Sequence, residues 1–108
     1  MSEEAIYFTV TMTPIPGEEA AVEAALRQCV RRVHDELPAV FYALHQTLEQ
    51  PRSFVMLERW PGQNAVDDYS SSAPLKELWG ALEGRLSGEP VVVGLSSLPE
   101  GDPAKGTL

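Results

Sequence analysis

The sequence is poor in cysteine and in basic residues, and it lacks any long hydrophobic run. Its single cysteine cannot form a disulfide within one chain. No apolar stretch approaches the roughly 18 residues that a membrane-spanning helix needs. Lys and Arg number 8 against 16 Asp and Glu, which gives a formal charge of −8. Because nucleic-acid phosphates and anionic lipid surfaces attract basic proteins, we expect neither a nucleic acid nor a membrane as partner.

The remaining composition is that of a small globular protein. Hydrophobic residues make up 44% of the 108 residues and charged residues 22%, which is ordinary for one packed domain. Residues 1–4 are acidic and lack the basic and apolar regions of a signal peptide. Together with the lone cysteine, this start predicts a cytoplasmic protein.

Residues 39–60 are the most informative stretch, and their pattern predicts a β-hairpin. Two extended runs rich in apolar and aromatic residues, 40–48 and 53–60, flank a turn signal at residues 49–52. The chemistry predicted for the protein depends on how these two strands pair.

The register follows from the position of the turn. With the turn centred between Gln50 and Pro51, we expect His45 to lie opposite Met56, and side chains to alternate between faces along each strand. One face is then predicted to carry Phe41, His45, Met56, Glu58 and Trp60. The other is predicted to carry Tyr42, Leu44, Val55 and Leu57, with Arg59 near its end.

Neither face of the predicted hairpin is polar, and helices can cover one of them. Leaving the second face in water would forgo roughly 1.5–3 kcal/mol for each large apolar side chain. A chain this short has few elements left to cover that face. We therefore predict a homodimer in which two sheets pack against each other.

Hydrophobic patterns and Pro or Gly breaks outside the hairpin predict five further elements. These are a strand at 5–13, a helix at 18–37, a short helix at 63–69, a helix at 74–86 and a strand at 91–98. The order β-α-β-β-α-α-β is typical of an α+β fold of the ferredoxin-like type, with helices on one face of an antiparallel sheet. We expect residues 1–98 to form this domain, and residues 99–108 to form a flexible tail or an arm over the partner.

Two histidines and one glutamate are candidates for proton transfer. His45 and Glu58 are predicted to be diagonal neighbours on the cavity side, about 7–8 Å apart. His45 is interpreted as a base that takes a phenol proton, or as a side chain that only hydrogen-bonds within the sheet. Glu58 has either a pKa raised by burial or an ion pair with an arginine or Lys76. His34, near the end of the first helix, is either the alternative base or a solvated helix-end residue.

Three aromatic residues are candidates for ligand contact. Trp60 is interpreted as a wall for a flat ligand, as a core residue, or as both. Tyr69 either donates a hydrogen bond to a substrate oxygen or caps a helix break, and Trp79 fits the core better than the cavity. The sequence has no metal-ligand spacing, no phosphate-binding loop and no nucleophile elbow, so no metal and no cofactor are expected.

The segment 48–78, LEQPRSFVMLERWPGQNAVDDYSSSAPLKEL, resembles the antibiotic biosynthesis monooxygenase family. The shared features are a proline in the hairpin turn, E-R-W at the end of the next strand, a short helix and a break of small residues. The stretch ELP followed by FYALH is similar to the E-P-G and Y-x-x-H of the family, with Ala39 in place of the glycine. The likeness extends from residue 6 to about residue 98.

The resemblance implies a dimeric α+β barrel with a cavity between the sheet and the helices of each subunit. Some members oxidise polycyclic phenols or quinols to quinones with molecular oxygen and no cofactor, others cleave haem, and relatives on the same fold are isomerases. It thus implies a cofactor-independent monooxygenase for a phenolic, quinol or polyketide-like aromatic substrate. The alternatives are a non-oxidative isomerase or cyclase, and a non-catalytic, stress-related ligand-binding dimer.

The resemblance also implies roles for individual residues. Trp60 matches a tryptophan that lines the cavity of cofactor-free oxygenases, which carry an asparagine at the position of Met56 and a tyrosine at that of Val66. Haem-cleaving members use a histidine where this sequence has Trp79, so haem cleavage is not expected. We predict catalytic roles for His45 as base, Trp60 as wall and Tyr69 as orienting donor. The predicted substrate-binding residues are Phe41, Met56, Glu58, Val66 and Trp79.

Overall fold

Four strands and three helices make up the structure, a computed structural model that describes residues 4–108. The elements are β1 (Ile6–Met12), α1 (Glu19–Glu36), β2 (Phe41–Gln46), β3 (Phe54–Trp60), α2 (Gln63–Ser70), α3 (Ala73–Leu82) and β4 (Val91–Leu95). Their order is the predicted β-α-β-β-α-α-β, and the expected α+β ferredoxin-like fold is confirmed. Within the described residues, no helix has the length and apolar character needed to cross a bilayer.

The strands form one antiparallel sheet in the order β2-β3-β1-β4. Strand β1 lies inside the sheet and pairs with β3 on one side and with β4 on the other. The helices pack on one face, where alternate residues of β3 are buried as the period of a strand requires. Helix α1 buries a stripe at helical spacing against this face. The stripe consists of Val22, Leu26, Cys29 and Val33.

Two elements, α3 and β4, end three or more residues earlier than predicted. Ser72 caps the start of helix α3, since its hydroxyl accepts a hydrogen bond from the Leu75 amide at 3.4 Å. The helix ends at Leu82 rather than at residue 86, because the chain turns at Gly84, which adopts a positive φ of 76°. Leu86 instead forms an isolated bridge with Pro14. Strand β4 ends at Leu95 rather than at residue 98.

The β2–β3 hairpin pairs one residue away from the predicted register. Thr47 and Ser53 close its loop, since the Thr47 amide donates to the Ser53 carbonyl at 2.9 Å. The Ser53 amide in turn donates to the Thr47 hydroxyl at 2.9 Å. The loop is therefore centred on Gln50 itself, and Tyr42 pairs with Glu58.

This register corrects two of the predicted cavity residues. A shift of one residue exchanges the two faces of a strand, so the expectation that Phe41 and His45 share the face of Trp60 is wrong. Both lie on the face turned away from the helices. Tyr42 and Leu44 take their places on the helix-covered side.

The sheet face opposite the helices, called the open face below, mixes aromatic, β-branched and polar side chains. Its residues, by pairing, are Tyr7, Thr9, Thr11, Phe41, Ala43, His45, Val55, Leu57, Arg59, Val91, Val93 and Leu95. The segment 99–108 returns to one corner of this face. There the Tyr7 hydroxyl and the Arg59 guanidinium donate to the Leu108 carbonyl at 3.4 and 3.1 Å.

Truncating the core beneath the helices tests this arrangement. Leu82 is 3% exposed, whereas Leu48 in the hairpin loop is 89% exposed. We expect Leu82→Ala to lower the free energy of unfolding by about 2–5 kcal/mol, because it removes buried methyl groups and leaves a cavity. Leu48→Ala, the matched control, should leave it nearly unchanged. Equal urea midpoints for the two variants would contradict the packing described.

Candidate functional site

A cavity of about 190 Å³ lies between the sheet and the helices. Strands β1, β2, β3 and β4 supply one wall, and helices α1, α2 and α3 supply the other. Most of the lining is apolar, with polar atoms contributed by Tyr42, Glu58, Tyr69 and Ser70. Such a cavity can hold an apolar ligand that carries a small number of polar groups.

The structure gathers most, but not all, of the sequence-predicted residues at this cavity. Those in its lining are Met56, Glu58, Val66, Tyr69 and Trp79. Trp60 is 0% exposed and lies behind the lining, stacked on Tyr69 with 4.6 Å between ring centroids and 27° between ring planes. His45 is outside, exposed on the edge strand, with its Nδ1 3.1 Å from the Ala43 carbonyl oxygen. The roles of these residues stay predictions.

Glu58 is the buried carboxyl group of the site, only 2% exposed. The Trp60 indole N–H donates to its Oε1 at 2.9 Å. Among the described residues it has no ion pair with an arginine or lysine, so burial dominates its electrostatics. Burial raises the pKa of Glu58 to about 7, although the hydrogen bond from Trp60 acts in the opposite direction. The structure thus favours the raised pKa over the alternative of an ion pair with Lys76.

Two tyrosines form the second polar group of the site. The hydroxyls of Tyr42 and Tyr69 are 2.7 Å apart, and the Tyr42 hydroxyl also lies 3.6 Å from Cys29 Sγ. Burial raises the pKa of both phenols well above the ordinary value. Both phenols therefore stay protonated at neutral pH. Tyr69, which lines the cavity, can present a hydroxyl to a ligand.

Together these groups supply the means for a proton transfer. A carboxyl group with a pKa near 7 is partly ionised at neutral pH and can both accept and return a proton. A neutral phenol beside it can donate a hydrogen bond to an oxygen of the ligand. In the described part of the chain, no three His, Cys, Asp or Glu residues cluster as a metal site would require.

Tyr42 is the site residue that reasoning from the sequence missed. The motif Y-x-x-H places Tyr42 and His45 three residues apart on one strand, so they must point to opposite faces. One of these two side chains therefore has to lie on the helix-covered face of the sheet. Which one enters depends on the loop pairing between Thr47 and Ser53.

Comparison with known sequences gives one match and one negative result. The family model described as antibiotic biosynthesis monooxygenase matches residues 5–78. The match includes the hairpin, α1, α2 and the first half of α3. No relative was found among curated proteins.

Solved structures match the fold over nearly the whole chain. One, from Caulobacter crescentus CB15 and provisionally named an antibiotic biosynthesis monooxygenase, has a TM-score of 0.84 at 18% identity and covers 89% of this chain and 92% of its own. PA3566 from Pseudomonas aeruginosa has a TM-score of 0.82 at 23% identity, covering 91% and 98%. Rv0793 from Mycobacterium tuberculosis has a TM-score of 0.83 at 19% identity, and the match covers 92% of this chain and 100% of its own. At such identities the similarity shows the fold alone.

The environment of Glu58 makes stability depend on pH in a defined direction. The pKa of this carboxyl is about 7 in the folded chain, against the ordinary value of 4.5 that applies to the unfolded chain. The folded chain therefore binds the proton more tightly. The stability this provides is complete below the lower value and is lost as the pH rises through about 7. Glu58→Gln cannot ionise but keeps an oxygen acceptor for Trp60. We expect the free energy of unfolding of Glu58→Gln, measured as a difference from the wild type, to increase by about 2–3 kcal/mol between about pH 5 and pH 8.5.

Urea unfolding at the two pH values measures this difference. Glu49→Gln, at an exposed glutamate of the hairpin loop, is the matched control. A stability difference between Glu58→Gln and the wild type that is the same at both pH values would contradict the buried-carboxyl description.

Proposed function

The chain belongs to the antibiotic biosynthesis monooxygenase family, and on this basis we propose that it is a cofactor-independent monooxygenase for a small phenolic or quinol-type aromatic compound. The observation that best supports this activity is the buried Glu58 carboxyl, with a pKa of about 7, at the edge of an apolar cavity. Molecular oxygen reacts with electron-rich phenolates and carbanions. A base beside an apolar pocket is therefore the minimum machinery for such a reaction.

In this proposal Glu58 is the base and Tyr69 the orienting donor. His45 was the predicted base, but the observed register turns it away from the cavity. Glu58 accepts the phenolic proton, and Tyr69 donates a hydrogen bond to a substrate oxygen. The neutral Tyr42 hydroxyl next to Tyr69 keeps that donor in place. Met56, Val66 and other apolar groups hold the flat ring and exclude water.

The proposed reaction converts a phenol and molecular oxygen to a quinone and water. Loss of the phenolic proton to Glu58 gives a phenolate, and its para carbon forms a bond to oxygen. The resulting peroxide takes up the proton from Glu58. The C–H proton at that carbon then leaves to Glu58 while the O–O bond breaks, and the departing hydroxide becomes water. The substrate supplies all four electrons, so no external reductant is required.

The size of the cavity favours a substrate with one or two rings. An engineered protein cavity of about 150 Å³ binds benzene. The present cavity of about 190 Å³ is only slightly larger, and drug-sized ligands occupy roughly 300–1,000 Å³. A compound such as 1-naphthol therefore fits the proposal better than a polyketide with three or four rings.

Oxygen uptake with one-ring and two-ring phenols or quinols tests the proposal. We expect uptake above the uncatalysed rate with no added flavin, metal or nicotinamide. Glu58→Gln should lower kcat/KM by about 10²–10⁴-fold, the usual contribution of a general base. His45→Ala, on the opposite face, is the matched control and should retain activity.

Two results would contradict this function. Uncatalysed rates for the whole set of compounds would exclude a monooxygenase of this substrate class. Turnover that continues under strict anaerobiosis would instead indicate an isomerase or cyclase, since the pairing of Glu58 with Tyr69 is equally suited to moving a proton within one molecule.

We also propose that a second copy of the chain covers the open face. Val91, Val93 and Leu95 on the edge strand of that face are 58%, 44% and 42% exposed. Covering them would stabilise the assembly by roughly 1.5–3 kcal/mol for each side chain that becomes fully buried. A cytoplasmic location belongs to the same proposal, because Cys29 is a free thiol.

The mass in solution tests the dimer. Light scattering should give about twice the chain mass of 11.8 kDa at micromolar concentration. Leu57→Asp places a charge at the centre of the open face and should yield monomers. Leu48→Asp introduces the same charge in the exposed hairpin loop and should leave the dimer intact. A wild-type mass near that of one chain would contradict the proposed assembly.

A further inference from the structure

Trp60 contacts both polar groups of the cavity without lining the cavity itself. Its indole N–H donates to Glu58 Oε1 at 2.9 Å, and its ring stacks on Tyr69. The Tyr42 ring packs edge-on against it, with 6.2 Å between centroids. Trp60 is 0% exposed, so these contacts are made out of reach of solvent. The Trp60 side chain thus contacts both the Glu58 carboxyl and the two tyrosines.

The hydrogen bond from Trp60 distinguishes the two oxygens of Glu58. Oε1 is occupied by the indole N–H. Within residues 4–108, Oε2 makes no hydrogen bond, and Glu58 belongs to the cavity lining. Rotation about the last side-chain bond of a glutamate is soft and roughly two-fold. Without a fixed donor, either oxygen would therefore be free to face a ligand.

We infer that Trp60 is a positioning residue, whose indole N–H holds the Glu58 carboxyl with Oε2 toward the cavity while its ring holds Tyr69 in place. This role differs from the ligand wall expected from the sequence, because Trp60 lies behind the cavity lining and its ring stacks on Tyr69. The inference rests on the proposed function for the identity of the reaction. The hydrogen bond itself can be tested without turnover.

The groups around Glu58 allow its titration to be observed separately. The titratable neighbours are Tyr42 on β2, Tyr69 on α2 and, behind Tyr42, Cys29 on α1. Burial raises the pKa of all three, so they stay neutral near pH 7. Strand β1 places the uncharged Phe8 opposite Glu58, and the α3 residues in the lining are uncharged as well. His34 on α1 is a further titratable group near the site, because its Nε2 lies 2.9 Å from the Tyr42 carbonyl oxygen. A change near pH 7 at Trp60 therefore reports on Glu58 only if it disappears in Glu58→Gln.

Nuclear magnetic resonance of the intact wild-type protein gives the first test. The sequence has two tryptophans, so two indole N–H signals are expected, and Trp79→Phe assigns them. The Trp60 signal should shift with a midpoint near the Glu58 pKa of about 7, and by more than the signal of Trp79, which lines the cavity but does not donate to Glu58. In Glu58→Gln the shift should disappear. A Trp60 signal that is flat, or whose shift persists in Glu58→Gln, would overturn the inference.

Trp60→Phe gives the second test, because phenylalanine keeps a stacking ring but lacks the N–H. A hydrogen bond to a carboxylate favours the charged form, so its loss should raise the midpoint of the Glu58 titration by about one pH unit. Carbon-13 NMR of labelled glutamate measures that midpoint. The acidic limb of the pH–rate profile should move by the same amount.

The outcomes separate the inference from the proposed function. A carboxyl midpoint that stays unchanged in Trp60→Phe would overturn the positioning role whatever the activity. A midpoint that rises in a protein that oxidises none of the compounds would support the positioning role and reject the monooxygenase. If Trp60→Phe fails to fold, the wild-type indole signals still decide the question.

Discussion

The closure of one hairpin loop determines which side chains the cavity receives. Backbone and hydroxyl hydrogen bonds join Thr47 to Ser53, and the Ser53 hydroxyl also lies 2.7 Å from the hydroxyl of Thr13, just beyond β1. These contacts centre the loop on Gln50 and bring Tyr42 opposite Glu58. Had the loop been centred half a residue later, Ala43 would lie opposite Glu58 and His45 opposite Met56, so the cavity would receive an imidazole and lose the Tyr42 phenol. The side chains that β2 contributes to the cavity follow from this local choice.

The site combines features that work against maximal stability. A carboxyl group with a single hydrogen-bond donor is held among aromatic and aliphatic groups, and its raised pKa is the measure of that cost. A core of the same shape without this carboxyl would be easier to fold. Buried groups with perturbed pKa values tend to mark functional sites. Here the same burial that weakens the fold at alkaline pH brings the proton affinity of Glu58 into the range useful for acid–base chemistry.

The sequence was sufficient for the elements and their order, because helical periodicity in α1 and the breaks at Pro and Gly are local signals. It was also sufficient for the β3 face, where Met56 and Glu58 alternate with Val55 and Leu57. It failed for β2, since apolar and aromatic residues occupy both faces of that strand, so the pattern itself specifies neither register. The environment of Glu58 could not be derived either, because it depends on which helix residues approach from distant parts of the chain.

The lone cysteine has a practical consequence for studying the molecule. Cys29 is 3% exposed, with its sulfur near the Tyr42 hydroxyl and the Pro74 carbonyl, so it sits at the junction of α1, β2 and α3. Its alkylation by a thiol reagent requires the elements packed around it to open locally. The rate of that reaction thus measures how often the core opens, and the measurement requires no substitution in the chain. Ligand occupancy of the cavity beneath the same helices would slow the reaction.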